Sequence, residues 1–320
     1  LELSPRVRYK LDRYKQKFTD MFSSGQDEEK PRPRLCPNCG TLVGATATKC
    51  YACGANVNFG MAAARKSIGR LLPAESPITY LILGITCIWY AISFALTVRV
   101  SGGLQGPGGG GFSGLMNLGG INAGVLSVLG GSLPWPRDLQ YFPWRLIMPT
   151  LLHGSLIHIG FNMWVLMDVG PQLEELYGSA RYLFIYFLTG MGAYLVSGYF
   201  NSVVAIGASG ALLGLIGVML AITTKRQGEH MRMLRSSLIR WLVYIAVLGL
   251  VMGGVDNWAH GGGLATGFIA GRIMADRAPL SPAEDRVAKV MGWGTGIVVL
   301  GCMAFSAYVL LFVVARTAAH

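Results

Sequence analysis

The sequence predicts an all-α polytopic membrane protein with a small soluble metal-binding module ahead of its membrane part. Three observations carry that prediction. Of 320 residues, 52% are hydrophobic and only 13% charged, and the mean hydropathy is +0.46, a balance that does not suit a soluble globular chain. Apolar stretches recur from residue 78 to residue 314 at lengths close to the thickness of a bilayer core. Four of the six cysteines fall within residues 36–53, as two Cys-x-x-Cys pairs.

Residues 1–34 read as a basic tail and linker. Arg6, Arg8, Lys10, Arg13, Lys15 and Lys17 precede the acidic residues 27–29, and residues 1–17 lack the apolar core and small-residue cleavage site of a secretory signal. Arg8, Leu11, Tyr14 and Phe18 permit a basic amphipathic helix on an anionic membrane surface. A solvated tail fits the same residues equally well. Pro31 and Pro33 end any helix there.

Residues 35–58 read as a zinc ribbon. Cys36-Pro-Asn-Cys39-Gly and Cys50-Tyr-Ala-Cys53-Gly, ten residues apart, offer four thiolates to one tetrahedral structural Zn²⁺, and the trailing glycines allow the tight turn beneath a metal. No βαβ pattern surrounds either pair, which argues against thioredoxin-like redox chemistry. So little apolar core makes metal binding the main source of stability. The expectation is one structural zinc, no cofactor for catalysis, and a cytosolic partner for the ribbon that the residues do not name.

Residues 59–77 form a basic linker with Arg65, Lys66 and Arg70. The first span, residues 78–98, is uncharged and contains Cys87 as a small apolar packer. Residues 101–114 are glycine-rich, and residues 115–144 mix aliphatic, glycine, proline and aromatic residues without a helical period. Trp135, Tyr141, Phe142 and Trp144 are expected at the membrane interface. Six further spans follow at residues 151–169, 182–200, 207–224, 238–253, 258–273 and 292–314.

A cytoplasmic amino terminus places the basic linker, the 174–181 turn and the 225–240 and 272–289 loops inside, leaving chiefly Arg99, Arg137, Arg145 and Arg316 outside. That asymmetry accounts for the net charge of +11 without a nucleic-acid partner. The absence of targeting signals favours a bacterial inner membrane. The same topology brings Ser209, His260 and residues 153–162 to one depth near the outer ends of their spans.

Polar side chains inside a membrane are costly, so these residues are functional candidates. Ser209 lies in Ile-Gly-Ala-Ser-Gly-Ala, at the head of an apolar run. Gly210, Gly214 and Gly217 line an adjacent face for close helix approach. In the sixth span His260 heads a similar strip with Gly267 and Gly271, and Gly263 flanks it. Two glycine-faced helices bring a serine and a histidine within hydrogen-bonding reach, the arrangement an activated nucleophile needs. Within the second span a four-residue step keeps His158 and Asn162 on one face, whereas the five-residue step from His153 turns roughly 140° past a full turn, so His153 looks elsewhere. A same-face His and Asn pair can stabilise a developing oxyanion. Asp256, four residues before His260, suits a loop or interface role better than that of a third catalytic acid.

These residues together resemble the rhomboid intramembrane serine proteases over most of residues 78–272. The resemblance rests on Trp144-Arg145, His153-x4-His158-x3-Asn162, Gly207-Ala-Ser209-Gly210, Ala259-His260 with its trailing glycines, and Gly170-x3-Glu174-x3-Gly178-x2-Arg181, read as the turn after the second span. It implies a six-helix catalytic core, residues 78–275, and a loop with a seventh membrane helix, residues 276–320; the zinc ribbon lies outside the shared core. It further implies Ser209 as nucleophile, His260 as general base, and His158, Asn162 and the backbone around Gly207 and Ser209 as oxyanion donors or their support, with His153 steadying the site. Trp144 and Arg145 would anchor the first loop in the outer leaflet, and Glu174 and Arg181 would be structural. The family often has an aromatic residue where this chain has Leu213, which predicts an altered rate or pH dependence rather than lost activity.

The implied function is endoproteolysis of transmembrane protein substrates near the outer leaflet, with membrane lipid as the surrounding partner and the site opening to the outer side. Two other functions fit the residues less well. A non-catalytic rhomboid-like protein that binds transmembrane clients, with the ribbon as cytosolic adaptor, would not need Ser209 and His260 together. A small-solute transporter would call for inverted repeats or mid-membrane charges, and neither is visible.

Overall fold

A computed structural model describes residues 34–35, 42–44, 50–52, 76–101, 117–132, 134, 142–201, 204–251 and 255–318. The chain divides into two compact units, Leu1–Ile68 and Gly69–His320. In the first, β1 (Arg34–Leu35) pairs antiparallel with β2 (Leu42–Val43), Leu35 opposite Leu42, so the two strands bracket the first Cys-x-x-Cys pair. Val43 and Cys50 are buried. Cys36, Cys39 and Cys53, the basic tail and the 59–75 part of the linker lie outside the described residues.

The second unit is helical. Its elements are α1 (Pro77–Val100), the short α2 (Ala123–Val128), two 3₁₀ turns (Pro143–Leu146 and Met148–Leu151), α3 (Leu156–Tyr177), α4 (Ser179–Phe200), α5 (Ser209–Lys225), α6 (Glu229–Val251), α7 (Asn257–Ile273) and α8 (Pro282–Ala318). By length and composition α1, α4 and residues Pro282–Phe312 of α8 can each cross a membrane, and α5 is a shorter apolar helix. The outward surface is apolar: Ile88, Trp164, Tyr244, Leu250, Ile297 and Leu300 are all more than half exposed. Such a belt is out of place in water and natural in lipid.

Several predicted boundaries move. The second span begins at Leu156, not near residue 151, because Ser155 caps the helix by accepting from the His158 amide while residues 148–151 form a 3₁₀ turn. At its other end the helix runs through Pro171 to Tyr177, so the segment read as a turn from Gly170 is helical until Gly178, whose φ is 78°. The predicted 225–240 and 272–289 loops shrink as well, since α6 starts at Glu229 and α8 at Pro282. Charged residues there extend helices beyond the apolar stretch, which hydropathy alone does not detect.

Glu174 explains why α1 starts where it does. A helix leaves its first amides unpaired, and here the Glu174 carboxylate, from α3, accepts from the amides of Ile78 (2.9 Å) and Thr79 (2.8 Å) and from the hydroxyls of Thr79 and Ser179. Arg181 donates to the Arg277 carbonyl and pairs with Glu284. Both residues thus fasten helix ends.

Trp144 is buried inside the protein rather than turned outward. Its ring lies where a Cβ on Gly130 would have to be, and it meets Phe305 of α8 edge-on at 5.4 Å. The neighbouring Arg145 donates to the Gly131 carbonyl at 2.6 Å, and Ser306 of α8 donates to the Leu129 carbonyl at 2.9 Å. Phe142 is partly exposed, and Trp135 and Tyr141 lie outside the described residues. Ser132 and Ala205 exchange backbone hydrogen bonds, so the first loop is paired with the segment that leads into α5.

Glycine contacts set the core around α4, α5 and α7. A Cβ on Gly263 or Gly267 would come within 1.9 Å of the carbonyl oxygen of Gly210 or Gly214, and one on Gly217 within 2.3 Å of the Leu264 carbonyl oxygen. Backbones this close exclude any side chain. Gly210 and Gly214 also face Ala193 and Thr189 of α4, so the strip on α5 serves two neighbours rather than one.

Candidate active site

Ser209 opens α5, two residues after Gly207. Gly207 has φ of 118°, a conformation suited to glycine, and a Cβ there would lie 2.7 Å from His158 Nε2. The glycine is therefore needed both for the turn and for the imidazole lying against it. Successive groups of this turn are held. The Gly207 amide donates to the Pro149 carbonyl (2.9 Å), the Gly207 carbonyl accepts from the Tyr194 hydroxyl, and the Ala208 amide donates to His153 Nε2 (3.3 Å).

His260 lies in the first turn of α7. Asp256 caps that helix, its Oδ1 accepting from the Ala259 amide at 2.9 Å and its Oδ2 from the Ser197 hydroxyl. His260 Nε2 stands 2.9 Å from Ser209 Oγ. Both carboxylate oxygens of Asp256 are engaged elsewhere, and His260 Nδ1 has no hydrogen-bond partner among the described residues. The geometry is that of a two-residue pair without an orienting acid.

His158 presents its other edge to the chain, where Gly154 donates to Nδ1 in a long 3.4 Å contact. That bond leaves the proton of a neutral imidazole on Nε2, the atom beside Gly207. His153 and His158 meet edge-to-face with centroids 5.0 Å apart. Asn162 is buried one turn further along α3 and donates from Nδ2 to the His158 carbonyl at 2.8 Å, keeping a second N–H on the same nitrogen.

The structure thus brings Ser209, His260, His158, Gly207 and His153 into one hydrogen-bonded or contacting group, with Asn162 attached through His158. His153 is not on the helix with His158 and Asn162 but precedes the Ser155 cap, fully buried; leaving the helical register is what lets it reach the Ala208 amide. Leu213 is buried in the core. Sequence reasoning missed Tyr194, Ser197 and the Pro149 carbonyl. A tyrosine and a serine three residues apart in a largely apolar span were a signal, but nothing in the sequence named their partners.

Fold and site define a helical integral membrane protein carrying a serine–histidine pair at a glycine-lined helix crossing. Residues 142–277 match the family described as the rhomboid domain. The chain is 34% identical over 127 residues to Rhomboid protease GluP of Bacillus subtilis strain 168, an alignment covering 40% of this chain and 25% of that protein. It is 40% identical over 164 residues to RHOMBOID-like protein 5 of Arabidopsis thaliana, covering 46% and 52% respectively. With Rhomboid-like protease 2 of Toxoplasma gondii the identity is 32% over 179 residues, covering 54% and 61%. These similarities support the rhomboid family. The chain spans between a quarter and about three fifths of the length of these relatives.

Proposed function

We propose that this chain is an intramembrane serine endopeptidase that cleaves transmembrane protein substrates near the outer leaflet through Ser209 and His260. The observation that carries the reading is the 2.9 Å approach of His260 Nε2 to Ser209 Oγ at the start of α5. The presence of named proteases among the similar proteins supports the reaction class.

The chemistry follows from the geometry. Ser209 Oγ attacks the scissile carbonyl carbon while its proton passes to His260 Nε2. The new oxyanion accepts hydrogen bonds from the Ser209 amide at the unpaired start of α5, from His158 Nε2–H and from the free N–H of Asn162. As the C–N bond breaks, His260 returns the proton to the leaving amine. Water then attacks the ester, His260 taking its proton, and Ser209 is regenerated. Backbone inside a regular helix is already hydrogen-bonded, so substrates are helices that unwind readily at the level of the site.

The excess of basic residues in the segments between spans supports an amino terminus in the cytoplasm with the site facing the outer side, and the membrane proposed is a bacterial plasma membrane. α8 is then a seventh membrane helix added to a six-helix core. Residues 35–58 form a ribbon around one structural Zn²⁺ bound by Cys36, Cys39, Cys50 and Cys53, which docks a cytosolic partner. The hairpin bracketing the first pair and the burial of Cys50 support a metal knuckle there. A client-binding protein without catalysis needs neither nucleophile nor base, and their mutual approach favours hydrolysis.

Labelling with a serine-directed fluorophosphonate tests the reading. Purified protein should be labelled at Ser209, and Ser209→Ala should lose both the label and cleavage of a model transmembrane substrate. Absence of labelling, with Ser209→Ala equal to the parent on every substrate tried, would overturn it.

A further inference from the structure

We infer that Tyr194 and Ser197 on α4 are a positioning pair that fixes the register and rotation of Ser209 against His260 by holding the two halves of the site from one helix. The inference rests on the proposed role of those two residues. It concerns how they are kept in register.

Ser209 and His260 lie on different helices, 51 residues apart in sequence. Their reaction geometry tolerates errors of only about 0.5 Å. Direct packing of α5 on α7 sets how close the helices come, but a glycine-on-carbonyl contact has no side chain to prevent sliding or rotation. The third helix supplies that restraint. α4 lies against both partners, with Gly210 meeting Ala193, Gly262 meeting Val196 and the Gly192 carbonyl, and Gly192 meeting Thr266.

Two hydrogen bonds from the same side of α4 then reach the two halves. Tyr194, buried in the core, donates to the Gly207 carbonyl, two residues before Ser209. Ser197, three residues on and equally buried, donates to the Asp256 carboxylate. Asp256 in turn accepts from the Ala259 amide and, through its own carbonyl, from the His260 amide at 3.1 Å. A three-residue step places both donors on one helix face, so a single rigid segment spans the site. One turn beyond, Phe200 stacks on Trp258 of α7 with centroids 4.3 Å apart and planes 16° from parallel. Among the described residues the two hydroxyls bond Gly207 and Asp256 rather than Ser209 or His260, so each acts through the backbone that carries one of them.

The arrangement assigns Asp256 a positional task, because both of its oxygens serve as acceptors. An amide retains one acceptor for the cap and can donate to the Ser197 oxygen, so Asp256→Asn should keep the geometry where Asp256→Ala loses it.

The test uses the full chain in detergent, reading the rate constant and the final extent of fluorophosphonate labelling, and kcat and KM on a transmembrane substrate. Tyr194→Phe, Ser197→Ala and Asp256→Ala should each lower the labelling rate constant and kcat by on the order of 10- to 100-fold. The final extent of labelling should stay that of the parent, KM should change little, and Asp256→Asn should recover most of the rate. A purely structural role would lower the labelled fraction or the melting temperature while leaving the rate constant of the folded fraction unchanged, and that result overturns the inference. Failure of Asp256→Asn to recover the rate overturns the positional role of Asp256. If the parent protein is not labelled at Ser209, the proposed function itself fails and the inference falls with it, an outcome distinct from variants that label as fast as the parent.

Discussion

Gly263→Ala puts a wedge where the two halves of the site meet. Gly263 lies three residues after His260 and packs on Gly210, the residue after Ser209, and a Cβ at position 263 would lie 1.9 Å from the Gly210 carbonyl oxygen. Real Cβ atoms essentially never come within 3.0 Å of another atom, and the obstacle here is backbone with no flexible end to give way. The helices must therefore separate by about 1.1 Å, the difference between those two distances. Transmitted to the site, that opening stretches the 2.9 Å Ser209–His260 contact to about 4 Å, beyond hydrogen-bonding range. Displacements of this size cost roughly 100-fold in rate, and overpacking costs about 1–3 kcal/mol in stability. Gly261→Ala is the matched control, because a Cβ there meets nothing within 4 Å on the same helix. The assay is the rate of fluorophosphonate labelling together with thermal unfolding in detergent. Gly263→Ala should lose about two orders of magnitude in labelling rate and melt earlier, whereas Gly261→Ala should label normally and be stabilised by about 0.5–1 kcal/mol. Equal labelling by Gly263→Ala and the parent, or an equal loss in Gly261→Ala, would refute the view that backbone contact sets the serine–histidine distance.

Other outcomes follow from separate contacts. His260→Ala, like Ser209→Ala, should abolish cleavage of a transmembrane substrate without lowering the melting temperature much, as read by gel assay and calorimetry. Glu174→Ala should leave the Ile78 and Thr79 amides without their acceptor, at about 1–3 kcal/mol for each buried amide orphaned, visible as a lower melting temperature. Asp276 accepts from Arg226 at 2.7 Å, and this hydrogen bond lowers its pKa below the ordinary aspartate value. A depressed carboxylate contributes stability above its unfolded pKa of about 3.9 and loses it as pH falls through the lower folded value. Arg226→Ala should therefore destabilise slightly at neutral pH, by at most about 1 kcal/mol for so exposed a pair, and the difference from the parent should vanish in acid unfolding curves below that range. Cys36→Ser, or a strong zinc chelator, should release one equivalent of zinc and loosen residues 35–58, measured by metal analysis and limited proteolysis, while labelling of Ser209 persists.

Part of the site was legible because its residue types are expensive where they stand. A serine between glycines, a histidine heading a glycine strip, and a His and an Asn four residues apart are hard to explain as packing in apolar spans, and one dimension is enough to see them. The glycine strips were equally visible, since close backbone approach requires absent side chains whatever the neighbour. Their pairing was legible only in part. Gly210 and Gly214 turn toward α4 as well as α7, and nothing in a linear pattern says that one strip has two partners. Helix ends were harder still. The Ser155 cap, the helical passage through Pro171 and the early start of α6 depend on short-range bonds that apolar periodicity does not register.

By itself the sequence determined that the chain is a helical membrane protein, where its small residues allow helices to meet, and which polar residues stand in apolar surroundings. Those properties follow from transfer energies and side-chain size, which each residue carries with it. Only the tertiary structure decided that Ser209 and His260 stand 2.9 Å apart, that His153 leaves the helix to hold the Ala208 amide, and that Glu174 supplies the cap of a helix almost a hundred residues earlier. Hydrogen bonds depend on direction and on distances of a few tenths of an ångström. Those are set by how the helices lie together.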